Sequence, residues 1–141
     1  MNLAICSMIF INSCKIKSED LSDYSNYKKV SVNKIGKDTA IRDLEFFTNI
    51  KDTNAKMMKS YWPNGNLQAL GLFYFGKRNG KWLMFSEEGI LVFEGTYKMG
   101  QKQDTQKTFY SNGKVSTMEV FSSDRSEAIF YYDSLGKVIK K

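Results

Sequence analysis

Gly65, Gly89 and Gly113 stand 24 residues apart, and Gly136 follows 23 later. The residues before them align as YWPNG, FSEEG, YSNG and YDSLG, and two positions after them stand Leu67, Leu91, Val115 and Val138. At the same period Gly71 matches Gly95, Phe73 matches Tyr97, Gly76 matches Gly100 and Phe85 matches Phe109. A period of this length implies one supersecondary unit used repeatedly, each copy burying its apolar surface against the next.

The unit reads as two strands. NLQALGLFYF and ILVFEGTYKM are rich in residues that suit a pleated surface, and KWLMFS, QKTFYS and EAIFYY are the returning strands. Between them lie Pro63-Asn64-Gly65, Asn79-Gly80, Asn112-Gly113 and SSDR, all turn signals. Gly65, Gly80, Gly89 and Gly113 supply the positive φ that such turns require. IRDLEFF (41–47) resembles VSTMEVF (115–121) and marks a degenerate first unit about two residues longer. Four hairpins and a closing strand are therefore predicted, with YKKVSV (27–32) as an added edge strand.

Gly71 and Gly95 fall in mid-strand, where glycine normally weakens pairing. Taking 76–80 as the hairpin loop places Phe75 opposite Lys81, Gly71 opposite Phe85 and, one period on, Gly95 opposite Phe109. A glycine opposite a large ring lets that ring lie over the backbone.

What the chain lacks narrows its chemistry. It contains no histidine, so Ser-His-Asp and Cys-His machinery and the commonest zinc ligand are missing. Its two cysteines, Cys6 and Cys14, lie ahead of the repeats and provide no disulfide framework there. Glu87 and Glu88 point to opposite sides if extended, and Glu45 and Glu119 lie several strands apart, too far for a paired-carboxylate site. The expectation is a protein that is not an enzyme and uses no cofactor or metal. The net charge of +6 comes mostly from lysines spread along the chain, the pattern of a solvated surface and not of a nucleic-acid partner.

The apolar run MNLAICSMIFINSC stops at Cys14 and gives way to the polar KIKSEDLSDYSN. It is too short to span a bilayer and has the length of a secretory h-region. Ile11-Asn12-Ser13-Cys14 resembles a bacterial lipobox. That likeness implies a signal peptide over 1–13, a lipidated Cys14 opening a polar tether over 14–26, and a repeat domain over 27–141. It also implies a membrane-anchored envelope location.

With these residues assembled, the chain resembles the MORN-repeat variant proteins, and within them the bacterial YwqK-type antitoxin group. GLFYFGKRNGKW carries the family spacing at Gly71, Phe73, Gly76, Lys77, Gly80 and Trp82. EGTYKMGQKQDTQ keeps Gly95, Tyr97, Gly100 and Lys102, with Asp104 and Gln106 where Gly and Trp would stand. The resemblance implies an all-β fold, an elongated single-layer antiparallel meander of ~24-residue hairpins, and a protein-binding role.

In such a meander the turns alternate between two sheet edges. One edge carries Lys77, Arg78, Lys98, Lys102 and Arg125 against Asp104 and Asp124, and the other Glu87, Glu88 and Asp133 against Lys114 and Lys137, a modest bias. Strand alternation puts Leu67, Phe73, Phe75, Leu91, Phe93, Tyr97 and Phe121 on one face, and Leu70, Leu72, Tyr74, Trp82 and Met84 on the other. One layer cannot bury both faces against itself. Either the sheet curls, the N-terminal segment covers one face, or an exposed face binds. On the last reading a monomer docks an unidentified protein on Tyr74, Trp82 and Tyr110, with Lys77, Arg78 and Lys102 as further candidate contacts. The two readings are an exported lipoprotein that meets an envelope partner and an intracellular antitoxin-like inhibitor of a toxin protein.

Overall fold

The computed structural model describes residues 26–34 and 43–140. The predicted signal peptide, Cys14 and nearly all of the tether lie outside the described residues, as does Ile41 of the degenerate repeat.

Ten strands follow one another: β1 (Tyr27–Lys34), β2 (Asp43–Asn49), β3 (Ala55–Tyr61), β4 (Leu67–Tyr74), β5 (Lys77–Phe85), β6 (Leu91–Lys98), β7 (Gln101–Phe109), β8 (Val115–Ser122), β9 (Arg125–Tyr132) and β10 (Val138–Lys140). They form one sheet in chain order, every neighbour antiparallel, and no helix occurs among the described residues. The all-β single-layer meander and the four hairpins with a closing strand stand as predicted, and YKKVSV lies in an edge strand.

The two sheet edges use different turns. On one edge four turns repeat the same pair of bonds. The N–H of Gly65, Gly89, Gly113 and Gly136 donates to the carbonyl three residues back, and the residue opening each turn (Trp62, Ser86, Tyr110, Asp133) donates to the one closing it. Pro63 sits second in its turn, where its fixed φ is preset, and Gly65 takes φ +88°. This is a type I turn closed by a glycine bulge.

Past the longer 50–54 turn of the first hairpin, the other edge is built from two-residue tips with both φ positive: Phe75-Gly76, Met99-Gly100 and Ser123-Asp124. Primed turns of this kind match the right-handed strand twist. Each tip is tied to the hairpin before it, because Gly100 N–H donates to Arg78 O (2.7 Å) and Asp124 N–H to Lys102 O (2.9 Å).

These tips correct the predicted register. The hairpin does not turn over a loop at 76–80; it turns at Phe75-Gly76, and Gly80 spends its φ of +82° inside β5, where residues 79–81 bulge opposite Leu72. Gly71 therefore faces Trp82 and not Phe85, and Gly95 faces Gln106 and not Phe109. The bulge recurs in β7, where Asp104 adopts φ +55° at the position equivalent to Gly80.

The shifted register also moves side chains between faces. A continuous row of paired residues runs Phe46, Met58, Gly71, Trp82, Gly95, Gln106, Glu119, Ile129. Trp82 and Met84 thus share a face with Phe73, Phe93 and Tyr97 rather than opposing them. Ala69, Trp82, Tyr97 and Phe121 are buried on that face. The other face holds the core cluster, Met57, Leu70, Leu83 and Phe85, with Tyr27, Phe47, Leu67, Leu72 and Leu91 packed against it. Leu67 and Leu91 join this side because the register slips beside both of their turns. Burying each core side chain stabilises by about 1.5–3 kcal/mol, so this face carries much of the fold's hydrophobic stabilisation.

Candidate functional site

The face opposite that core is hollowed into an open groove of about 560 Å³ spanning β3 to β8. Its apolar lining comes from Met58, Ala69, Trp82, Met84 and Phe93. Arg78, Lys102 and Glu119 add charge, and Thr108 and Thr117 add hydroxyls. A cleft of that size with a few polar groups has the dimensions of a binding site.

The groove grows out of the repeat. Trp82 lies over the bare backbone of Gly71, and its indole N–H donates to Leu72 O at 3.0 Å. Edge-to-face contacts link Phe73 to Trp82 (5.1 Å) and Trp82 to Tyr97 (6.3 Å). Arg78 spans this row, its guanidinium 4.4 Å from the Trp82 ring and 5.3 Å from that of Tyr97. One period later Lys102 stands 4.5 Å from the Phe121 ring. Arg78 and Lys102, like Tyr97 and Phe121, are 24 residues apart, so the cation-on-ring contact is itself a repeated feature.

In the second repeat Gln106 does the work of Trp82. Its Nε2 donates to Thr96 O at 2.9 Å, the carbonyl one period on from Leu72. Its Oε1 rests on Gly95, buried and without a hydrogen-bond partner.

The structure brings Arg78, Trp82 and Lys102 together and separates the other predicted contact residues from them. Tyr74 and Lys77 flank the Phe75-Gly76 tip, where Tyr74 packs edge-on against Phe75 (4.7 Å). The Asp52 carboxylate beside Tyr74 raises its phenol above the ordinary value. Tyr110 lies at the opposite edge and donates its hydroxyl to Tyr132 O at 2.7 Å, tying one turn to the next. Tyr74, Trp82 and Tyr110 therefore do not form one surface. Of the predicted structural glycines, Gly71 and Gly95 underlie the groove, while Gly65, Gly76, Gly89, Gly100, Gly113 and Gly136 serve turns and Gly80 a bulge.

Sequence reading did not place Met58, Gln106 and Glu119 in one cleft with Arg78. The 24-residue spacing of Arg78 with Lys102 and of Tyr97 with Phe121 was the available signal, but it acquires meaning only with the register. Glu45 and Glu119 stand six strands apart on opposite faces. No group of three or more metal-ligating side chains occurs among the described residues.

Comparison with known proteins agrees with this repeat geometry. Residues 57–74 and 78–99 match the family model described as MORN repeat variant. Each matched segment contains one hairpin closed by a type I turn, at Gly65 and at Gly89. No curated protein matches the sequence. Among solved structures, that of TarM is similar over 83% of this chain at 13% identity and a TM-score of 0.37. The chain spans about a quarter of the length of that protein, 24%.

Proposed function

We propose that the chain is a non-enzymatic, protein-binding repeat module, exported as a lipoprotein and presenting its concave face to a partner in the cell envelope. One observation carries the binding role: with the core cluster on one face, the other face, which also buries Trp82 and Tyr97, still leaves an open groove of about 560 Å³. The MORN repeat variant match over 57–99 supports a binding module built by repetition. The anchor rests on the sequence, where Ile11-Asn12-Ser13-Cys14 ends an apolar run and a polar stretch follows.

Labelling with palmitate in the native host tests the anchor. Cys14→Ala is expected to abolish the label and release the protein from membranes. A soluble, unlabelled wild-type chain would overturn export and move an antitoxin-like inhibitor to first place. Photocrosslinking from position 84 in the full chain tests the face: a discrete protein adduct is expected there and none from position 87 on the far edge. Equal labelling from both positions would overturn the groove as the binding surface.

A further inference from the structure

We infer that the groove is a receptor for an extended acidic segment of a partner protein, with Arg78 and Lys102 as its two carboxylate-binding groups. The inference rests on the binding role proposed above and names the chemistry of the occupant.

The first argument is charge left without a partner. Lys29 pairs with Glu45, Lys81 with Glu94 and Arg125 with Glu127. Arg78 and Lys102 have no carboxylate within ion-pair distance among the described residues. Each lies instead on aromatic rings, Arg78 on Trp82 and Tyr97 and Lys102 on Phe121. Asp124, the acid next to Lys102, turns one carboxylate oxygen to the Lys102 backbone N–H at 3.1 Å and keeps its charge. Arg78 Nη1 donates to the Tyr97 hydroxyl at 3.5 Å, and the remaining in-plane N–H donors are left for a further partner, whose planar carboxylate would match that fork.

Preorganisation is the second argument. The carbonyls of Arg78 and Lys102 are both held by the following tip, through Gly100 and Asp124. The two backbones are therefore fixed relative to each other before any ligand arrives, which lowers the entropic cost of binding.

The third argument separates a peptide from other anions. Arg78 and Lys102 lie on β5 and β7, roughly 10 Å apart across the strands at about 4.8 Å per strand. Acids at i and i+3 of a polyproline II segment have that separation on one side of the chain, at three residues per turn and about 3.1 Å per residue. Between the cations stands the Tyr97 ring, register partner of Lys102, and the apolar lining of Trp82, Met84 and Phe93 continues from there along the strands, calling for apolar side chains beside the acids. Glu119 on the β8 side repels continued negative charge. A uniform polyanion meets both features badly, and a bilayer surface cannot enter a concave groove.

The probe is a fluorescein-labelled twelve-residue peptide repeating Glu-Leu-Val, titrated with the full chain and read by anisotropy. Its Gln-Leu-Val analogue, polyphosphate and phosphatidylglycerol vesicles are run beside it. Binding of the Glu peptide is expected to be at least about tenfold tighter than that of the Gln peptide and to weaken as salt rises. The pair Arg78→Gln and Lys102→Gln is expected to remove that preference, while the charge-keeping pair Arg78→Lys and Lys102→Arg retains most of it. Met84→Asn, at a residue 45% exposed, is expected to weaken both peptides several-fold.

Equal binding of the two peptides, each weakened by Met84→Asn, would overturn the acidic segment and leave the groove in place. Glu-peptide binding that none of these substitutions alters would overturn both readings. Binding of polyphosphate or vesicles with no peptide binding, or no binding of any probe, would also overturn the proposal.

Discussion

The indole of Trp82 lies flat on Gly71. A Cβ built on that glycine would stand 2.2 Å from Trp82 Cδ2 and Cε2, well inside contact distance. Gly71 has no positive φ, so its lack of a side chain serves the ring and not the backbone. Gly71→Ala should therefore lower stability by about 2–4 kcal/mol through overpacking and loss of the bond from Trp82 Nε1 to Leu72 O. Urea unfolding of both single variants and the double variant checks the cause. In a Trp82→Ala background the added methyl should cost almost nothing.

The second repeat fills the same space differently. Gly95 is covered by Gln106 and by the Phe93 ring, whereas in the first repeat Trp82 covers Gly71 and the residue equivalent to Phe93 is Ala69. A large residue with a small neighbour has become a small one with a large neighbour. Gln106→Trp alone should overpack and cost about 1–3 kcal/mol. Adding Phe93→Ala should recover stability, leaving the double variant at least about 1 kcal/mol above the sum of the singles. The swap also removes the unpartnered Gln106 Oε1, a buried acceptor that costs about 1–3 kcal/mol.

Met99 opens a primed turn at φ +51°, a conformation that asparagine adopts readily and a long apolar side chain does not. Its side chain is 39% exposed and its N–H is held by Asn79 Oδ1 at 3.1 Å, a bond any residue but proline keeps. Met99→Asn should raise stability by about 0.5–1 kcal/mol. Met99→Val should lower it by at least about 1 kcal/mol, since β-branching is least tolerated there. Thermal midpoints of the two variants should move in opposite directions.

Acid should act through Glu45. Burial opposes its ionisation, but hydrogen bonds from Lys29 and Tyr61, with the charges of Lys29 and Lys59, outweigh burial and hold the carboxyl below its ordinary value. A carboxyl depressed in the folded state stabilises the fold fully above its unfolded value, about 4.3, and loses that stabilisation as pH falls through the folded one. Glu45→Gln should cost stability at pH 7, and the gap to the wild type should close as pH drops below about 4.5. Denaturant midpoints measured from pH 7 to pH 3 give the comparison, and a constant gap would contradict it.

Much of the fold was legible because glycine and turn chemistry recur at a fixed period. Gly65, Gly89, Gly113 and Gly136 marked one edge, and the strand-forming runs between them gave the number of hairpins and the alternation of edges. The tip at Phe75-Gly76 was not legible. Asn79-Gly80 is the stronger turn signal, and only pairing energy over the whole hairpin decides that Gly80 bulges within β5 while Phe75 takes the left-handed conformation. That one decision moved Trp82 and Met84 to the other face and assembled the groove.

The amino-acid sequence by itself determined the repeat, the strand order and the exclusion of histidine-based chemistry, because these follow from local propensity, periodicity and composition. The tertiary structure decided which side chains share a face. A strand's side-chain period is two, so a register difference set by a bulge reassigns every later contact across the hairpin. Whether Arg78 and Lys102 are scattered surface charges or two cations held on rings above one groove depends on that register, which distant pairing sets and local sequence does not.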